Sequence, residues 1–179
     1  DSAAGFKAEY FEDLYEIESS SFWFRGRNKL IIWALGKYFD KASSFLEVGC
    51  GTGFVLRGID DASLGLKLAG SELFAEGLRF AKLRLPNTEL LELDARKLPF
   101  EDAYDIIGAF DVLEHIDEDE VVLAELYKAS RRGIILTVPQ HRFLWSGIDE
   151  LACHKRRYSA RELAKKVEAA GFTIVRQTS

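Results

Sequence analysis

The sequence has 179 residues, of which 47% are hydrophobic and 30% are charged. This balance excludes a disordered chain and is typical of one globular domain. The formal net charge of −5 argues against nucleic acid as the main partner, because contact with phosphates needs a broad basic surface. No apolar run approaches the roughly 20 residues of a membrane span, and no signal peptide is visible. Since the two cysteines suggest neither a disulfide framework nor a zinc site, we expect a cytoplasmic protein without a metal.

The predicted elements alternate between helices and strands along one domain. We expect residues 1–40 to form an N-terminal lid or helix region and residues 41–179 to form the core. In chain order, periodicity predicts a helix over 27–39, a strand over 43–48, a helix from Phe54, a strand over 66–72, a helix over 74–85, strands over 89–95 and 104–111, a helix over 117–130, a strand over 133–139, a helix over 159–171 and a strand over 172–178. This alternation predicts a doubly wound α/β fold, whose ligands bind at the carboxyl ends of the strands.

A glycine-rich turn follows the first strand, where residues 47–53 read E-x-G-C-G-T-G. Such a turn brings backbone N–H groups and the positive end of a helix to a ligand. The turn lacks the lysine of a nucleoside triphosphate loop. It also has Phe54 where the dinucleotide fingerprint needs its third glycine. A tight turn without any ligand is the alternative.

The turn resembles motif I of class I S-adenosylmethionine (SAM)-dependent methyltransferases. The stretch FDVLEHI (110–116) is similar to the small-molecule branch of that family, which includes ubiquinone-pathway enzymes, and the resemblance covers residues 22–178. It implies a Rossmann-like, mostly parallel sheet in the order 3-2-1-4-5, with residues 172–177 at the far edge. The family fold adds a seventh, antiparallel strand. The sequence stops before such a strand, so we expect a C-terminal truncation and a longer native chain, or an edge completed by a neighbouring molecule.

The resemblance also implies a cofactor site for SAM. It assigns the ribose hydroxyls to Glu72 and the adenine to Asp94 with Ala95, whereas the glycines let the backbone close over the methionine tail. The full set of implied cofactor residues is Glu47, Gly49, Cys50, Gly51, Thr52, Gly53, Glu72, Leu73, Asp94, Ala95 and Phe110. Cys50 is interpreted as a small filler and not as a nucleophile. For Glu72 and Asp94, the alternative is a solvated acid at a strand end.

Two further segments are candidates for the reacting end. His115 follows the fourth strand and could serve as a general base, or it could simply cap or pack the next helix. The aromatic segment 22–27 could form a lid in which Arg25 or Arg27 pairs with the methionine carboxylate. A hydrophobic staple with surface cations is the alternative for that segment.

The segment 139–159 is too long for a plain connection, and long loops in compact domains tend to be functional. Its predicted substrate-binding residues are Trp145, His154, Arg156, Arg157 and Tyr158, whose positive charge suits an acceptor with a carboxylate or phosphate. A surface excursion is the alternative. We therefore predict SAM-dependent methyl transfer to a small molecule, at oxygen, with nitrogen or carbon acceptors left open. A non-catalytic SAM-binding module and an NAD-dependent oxidoreductase are the rival hypotheses.

Overall fold

Five segments pair into one parallel sheet in the computed structural model, which describes residues 10–178. The strands are β1 (Ser44–Val48), β2 (Lys67–Glu72), β3 (Glu89–Glu92), β4 (Tyr104–Phe110) and β5 (Ser130–Thr137). They lie in the order β3-β2-β1-β4-β5. The order 3-2-1-4-5 expected from the sequence is therefore confirmed. Because β1 lies at the centre and the order reverses beside it, the turn after β1 opens at the switch point where such sheets bind ligands.

The helices connect the strands and cover both faces of the sheet. They are α1 (Tyr10–Ile17), α2 (Phe22–Tyr38), α3 (Phe54–Asp61), α4 (Ala75–Arg84), α5 (Asp119–Ala129), α6 (Gly147–Leu151) and α7 (Ala160–Ala169), with 3₁₀ turns at Leu113–His115 and Arg142–Leu144. A capping box begins α7, in which the Ser159 hydroxyl accepts the Glu162 N–H at 3.2 Å. Helices α1 and α6 were not predicted. The first nine residues of the expected N-terminal region lie outside the described residues.

Alternating side chains of β1 enter two different cores, as the pleat of a strand requires. Leu46 and Val48 pack with Leu123 of α5 on one face. Phe45 packs with Leu35 of α2 and with α3 on the other. Glu47 shares the face of Phe45, so its carboxylate is buried under α2 and α3 with 2% exposure. None of the helices described here combines the length and the apolar content that crossing a membrane requires.

The predicted sixth strand is wrong for the residues that the structure describes. Residues 172–178 form no ladder with β5, which pairs with β4. Instead Phe172 packs edge-on against Tyr127 of α5 at 5.0 Å between ring centroids. The Gln177 side chain then donates a 2.8 Å hydrogen bond to the Ala160 carbonyl. Phe172 and Ile174 are thus partly buried against the core that includes α5, and the segment runs back toward the start of α7.

Candidate functional site

A cavity of about 540 Å³ lies at the carboxyl ends of β1, β2, β3 and β4. Twelve of the predicted site residues line it: Glu47, Gly49, Cys50, Gly51, Thr52, Glu72, Leu73, Asp94, Ala95, Phe110, His115 and His154. Residues from four separate strand ends and from the distant loop therefore meet in one space. The volume falls in the range of about 300–1,000 Å³ that is common for small-molecule sites.

The backbone conformation of the glycine-rich turn is the first reason for its glycines. Gly49, Gly51 and Gly53 have φ of +70°, +52° and +75°, a region that side chains other than hydrogen rarely tolerate. Gly53 does not line the cavity, and a Cβ there would lie 3.1 Å from Cα of Ala81. Its missing side chain therefore lets α3 and α4 pack closely. The expected contact of Gly53 with the cofactor stays a prediction.

Glu72 ties the end of β2 to the glycine-rich turn. Its Oε2 accepts the Gly51 N–H at 2.9 Å, and its Oε1 accepts the N–H groups of Leu73 at 2.8 Å and Phe74 at 3.2 Å. Burial raises the pKa of this carboxyl, and the three N–H donors oppose that rise. Because each carboxylate oxygen has two lone pairs, acceptor capacity is left for a ligand in the cavity.

Side chains of opposite charge lie near one another at the end of the cavity beneath α2. Burial raises the pKa of Glu47 well above its usual range, and the charge of Arg27 partly opposes this. Within the described residues, Glu47 Oε2 has no hydrogen-bond partner. The Arg27 guanidinium forms an ion pair with Asp111, and burial lowers its pKa. At this end of the cavity, a cationic group of a ligand could therefore donate to Glu47. An anionic group could pair with the Arg27 guanidinium.

Asp94 and Arg96, which follow β3, form a second charged pair in the cavity wall. Arg96 donates from Nε to Oδ1 at 3.0 Å and from Nη2 to Oδ2 at 2.7 Å. These hydrogen bonds lower the pKa of Asp94. The neighbouring Ala95 has no bulky side chain and lies 8% exposed in the cavity wall. A planar ring could be accommodated there beside a carboxylate that stays ionised.

Helix α1 closes one side of the cavity, which sequence reasoning missed. Phe11, Leu14 and Glu18 line the space, at a spacing of three and four residues that puts them on one helical face. Glu18 accepts hydrogen bonds from the Thr52 hydroxyl at 2.5 Å and from Arg84 Nη1 at 2.6 Å. This spacing within YFEDLYEIE (residues 10–18) could have predicted the helix from the sequence, but it spans only two helical turns.

The predicted lid segment 22–27 contributes in part. Phe24 and Arg27 line the cavity, whereas Phe22 and Trp23 are 85% and 62% exposed. Arg25 is exposed and does not line the cavity. Of the two arginines proposed to meet a ligand carboxylate, the structure therefore brings only Arg27 to the site.

A polar corner is formed by Glu114, His115 and His154. Glu114 is fully buried, which raises its pKa to about 8. Burial, together with the neighbouring His154, lowers the pKa of His115 to about 4. The two imidazole rings meet edge to face at 4.9 Å between centroids. His154 Nδ1 lies 2.9 Å from Asp149 Oδ1, and its Nε2 lies 4.0 Å from Glu114 Oε1. Near neutral pH Glu114 is therefore protonated and His115 is neutral.

The same three residues offer possible ligand atoms that lie within 4.8 Å of one another. Two ligands of one tetrahedral zinc ion are about 3.4 Å apart. His154 Nε2 and Glu114 Oε1, at 4.0 Å, are farther apart than that. The side chains would have to move together to share such an ion, and the prediction that the chain has no metal stays a prediction.

The other residues predicted to bind substrate do not reach the cavity. Tyr158 is 1% exposed and donates to Asp119 Oδ2 at 2.7 Å, so its hydroxyl is engaged within the core. Arg157 donates to both oxygens of Asp149 at 2.7 and 2.8 Å. Arg156 pairs with Asp119 at 3.1 Å and with Asp117 at 3.3 Å. Trp145 is 41% exposed and does not line the cavity. Substrate contacts by these four residues stay predictions, and only His154 of the set lines the site.

Comparison with known proteins points to one family. The family described as a methyltransferase domain matches residues 46–138. A probable S-adenosylmethionine-dependent methyltransferase of Mycolicibacterium smegmatis is 25% identical over 164 residues, which cover 88% of this chain and 62% of that protein. The mitochondrial ubiquinone biosynthesis O-methyltransferase of Candida albicans is 32% identical over 101 residues, which cover 52% of this chain and 31% of that protein. The chain thus spans less than two thirds of the length of either relative.

Solved structures share the fold at low identity. Magnesium protoporphyrin IX methyltransferase from Synechocystis, solved with bound SAM, superimposes with a TM-score of 0.67 at 18% identity. The superposition covers 84% of this chain and 70% of that one. At this identity the likeness establishes a common fold, in agreement with the strand order described above.

Proposed function

Because the chain belongs to the methyltransferase domain family, we propose that it binds SAM in the cavity beside β1 and catalyses transfer of the methyl group to a small-molecule acceptor, at oxygen. The observation that carries the proposal is the junction of the glycine-rich turn with Glu72, since the Gly51 N–H donates to Glu72 Oε2 at 2.9 Å. At this junction the cavity has backbone without side chains on one wall and the Glu72 carboxylate at the end of the neighbouring strand. The name of the Mycolicibacterium relative supports the cofactor.

The polar groups of the cavity fit the chemistry of SAM. Glu72 can accept hydrogen bonds from the ribose hydroxyls, and Asp94 with Ala95 can flank the adenine. Glu47 Oε2, buried and without a partner among residues 10–178, suits the ammonium of the methionine tail, directly or through water. Arg27 suits the carboxylate of that tail. When bound, the cofactor supplies an electrophilic methyl group on a sulfonium.

The protein's contribution to such a transfer is alignment and exclusion of water. Helix α1 covers the cavity through Phe11 and Leu14, while His115 and His154 form its polar end. This corner can orient a hydroxyl beside apolar walls. The name of the Candida relative, a ubiquinone biosynthesis O-methyltransferase, supports an oxygen acceptor for this chain.

Calorimetry with SAM, S-adenosylhomocysteine and NAD⁺ tests the cofactor. We expect both sulfur nucleosides to bind and NAD⁺ not to bind; binding of NAD⁺ alone would mean the oxidoreductase hypothesis is correct. Methyl transfer from tritiated SAM to a panel of phenols, amines and carbon acids then tests the reaction. SAM binding without turnover on any acceptor would favour the non-catalytic binding module.

A further inference from the structure

We propose that His154 accepts the proton of the acceptor hydroxyl, and that Asp149 holds the imidazole in the tautomer that this step requires. The proposal rests on the proposed function, in that the acceptor is a hydroxyl. It changes the role expected for the loop 139–159 from binding an anionic acceptor to positioning one base. It also moves the role of general base from His115 to His154.

The first support is the pairing of His154 with a carboxylate that has no exposure to solvent. Asp149 is 0% exposed, and its Oδ1 lies 2.9 Å from His154 Nδ1. Arg157 donates to both Asp149 oxygens, and the Ser146 N–H donates to Oδ2 at 2.8 Å. Because these donors favour the ionised form, they keep the pKa of Asp149 below its usual range. An ionised carboxylate accepts only, so Nδ1 must carry the hydrogen, and in the neutral ring the lone pair is then on Nε2.

The second support is the position of that lone pair. His154 lines the cavity that also holds Glu72 and the glycine-rich turn, with 15% exposure of its side chain. Its Nε2 lies 4.0 Å from Glu114 Oε1, a distance too long for a hydrogen bond. Among residues 10–178, the ionisable side chains that lie against the ring are those of Asp149, Glu114 and His115. A hydroxyl entering the corner therefore meets an available acceptor.

His115 is the weaker candidate, although it shares the corner. Its pKa is lowered to about 4 because burial disfavours the imidazolium and His154 lies beside it. General-base efficiency follows basicity, so a base with a pKa near the working pH is preferred. Asp149 contacts His154 directly, so it would stabilise the imidazolium that forms on that ring.

The step balances without any further reactant. The hydroxyl oxygen forms a bond to the methyl carbon while the carbon–sulfur bond breaks. The electron pair of the broken bond remains on sulfur, which becomes a neutral thioether. The hydroxyl proton moves to His154 Nε2. The resulting imidazolium faces the Asp149 carboxylate and later releases its proton to water.

Nitrogen-15 spectra of the histidines test the tautomer without any acceptor. The chain has three histidines, His115, His141 and His154, so the variants His154→Gln and His141→Gln assign the signals. In the neutral ring of His154 we expect the Nδ1–H tautomer, and Asp149→Asn should shift it toward the Nε2–H form. An Nε2–H tautomer in the parent protein overturns the proposal.

Activity is measured with tritiated SAM and 3,4-dihydroxybenzoate as the probe acceptor. General-base catalysis contributes about 10²–10⁴-fold, so His154→Gln should lower kcat by that amount while the Kd for SAM stays unchanged. His154→Ala should regain part of its kcat with added imidazole. His141→Gln, a change in the same loop but outside the cavity, should behave as the parent.

Three further results would overturn the assignment. One is undiminished kcat in His154→Gln, and another is an equal loss of SAM affinity in that variant. The third is loss of parent activity in EDTA with recovery on adding Zn²⁺, since the ring would then be a metal ligand. Failure of the parent to bind SAM would instead refute the proposed function, and the nitrogen-15 spectra would still decide the state of His154.

Discussion

The backbone N–H of Gly51 and Oε2 of Glu72 are joined by a 2.9 Å hydrogen bond across the ends of two neighbouring strands. This contact holds the turn after β1 at a set distance from the turn after β2. A ligand that spans both turns therefore meets two walls whose separation is determined before it binds. Preorganisation of this kind lowers the entropic cost of binding.

Glu72→Ala should weaken SAM binding and also loosen both turns. The change removes an acceptor for the ribose hydroxyls and the acceptor of three N–H donors, and each hydrogen bond to a charged group is worth about 1.5–3 kcal/mol. We expect at least about a tenfold rise in Kd by calorimetry. Glu92→Ala, at the exposed end of β3, is the matched control. Equal Kd values for the two variants would mean that the ribose assignment is wrong.

Gly51→Ala and Gly65→Ala separate backbone strain from ligand contact. Both glycines have positive φ, at +52° and +73°, so each alanine should cost about 1–2 kcal/mol of folding stability. A Cβ at Gly51 would meet Phe11 only at 3.7 Å, and one at Gly65 would enter open space. The melting temperature should fall by a similar amount in both variants, whereas the affinity for SAM should fall only in Gly51→Ala. A SAM affinity reduced equally in both would attribute the effect to strain alone.

Glu114→Gln should change how stability depends on pH. The folded pKa of Glu114 is about 8, above its usual 4.5, so the folded state holds the proton more tightly than the unfolded chain does. The stabilisation this gives is complete below pH 4.5 and is lost as pH rises through 8. Between pH 4.5 and 8, the free energy of unfolding of the variant should therefore rise relative to that of the parent, by at most about 1.4 kcal/mol for each pH unit. Denaturant unfolding at pH 5 and 8.5 checks this, with Glu92→Gln as a control that should show no pH-dependent gain.

Arg84→Ala should release helix α1 from the cavity. Arg84 donates to Glu18 at 2.6 Å, to the Tyr15 carbonyl at 2.9 Å and to the Thr52 carbonyl at 3.2 Å. Loss of these charged hydrogen bonds should increase hydrogen exchange in residues 10–17 by at least about tenfold. It should also raise the Kd for SAM. Lys82→Ala, an exposed change on the same helix, should do neither; unchanged exchange in Arg84→Ala would show that α1 is held by its apolar contacts.

Arg157→Ala should lower stability and kcat together. The sequence interpretation predicted a loss of acceptor binding, but Arg157 donates to the buried Asp149, whose partner is then His154. Removing one member of a buried ion pair costs about 3–5 kcal/mol, so the melting temperature should fall markedly. The KM for 3,4-dihydroxybenzoate should change little. A raised KM with unchanged stability would support the original prediction of a substrate contact.

The positions of the five strands and most of the residues that line the cavity could be predicted from the sequence because their signals are local. Apolar runs, the spelling of residues 47–53 and the acid Glu72 lie next to one another in the chain or at the ends of strands. In a parallel sheet the carboxyl ends of neighbouring strands share one edge, so local motifs imply a common site.

The remaining features depended on contacts between distant segments. Residues 172–178 carry a strand-like alternation, yet Phe172 packs on Tyr127 and Gln177 bonds to Ala160, so tertiary packing overrides propensity. The helix α1 is placed by Arg84, which lies 66 residues beyond Glu18. His154, Arg157 and Tyr158 look alike as a polar run, but only folding directs one into the cavity, one to Asp149 and one into the core. Adjacent residues of an irregular loop face different surroundings, and the direction of each side chain is determined by what the rest of the chain packs against it.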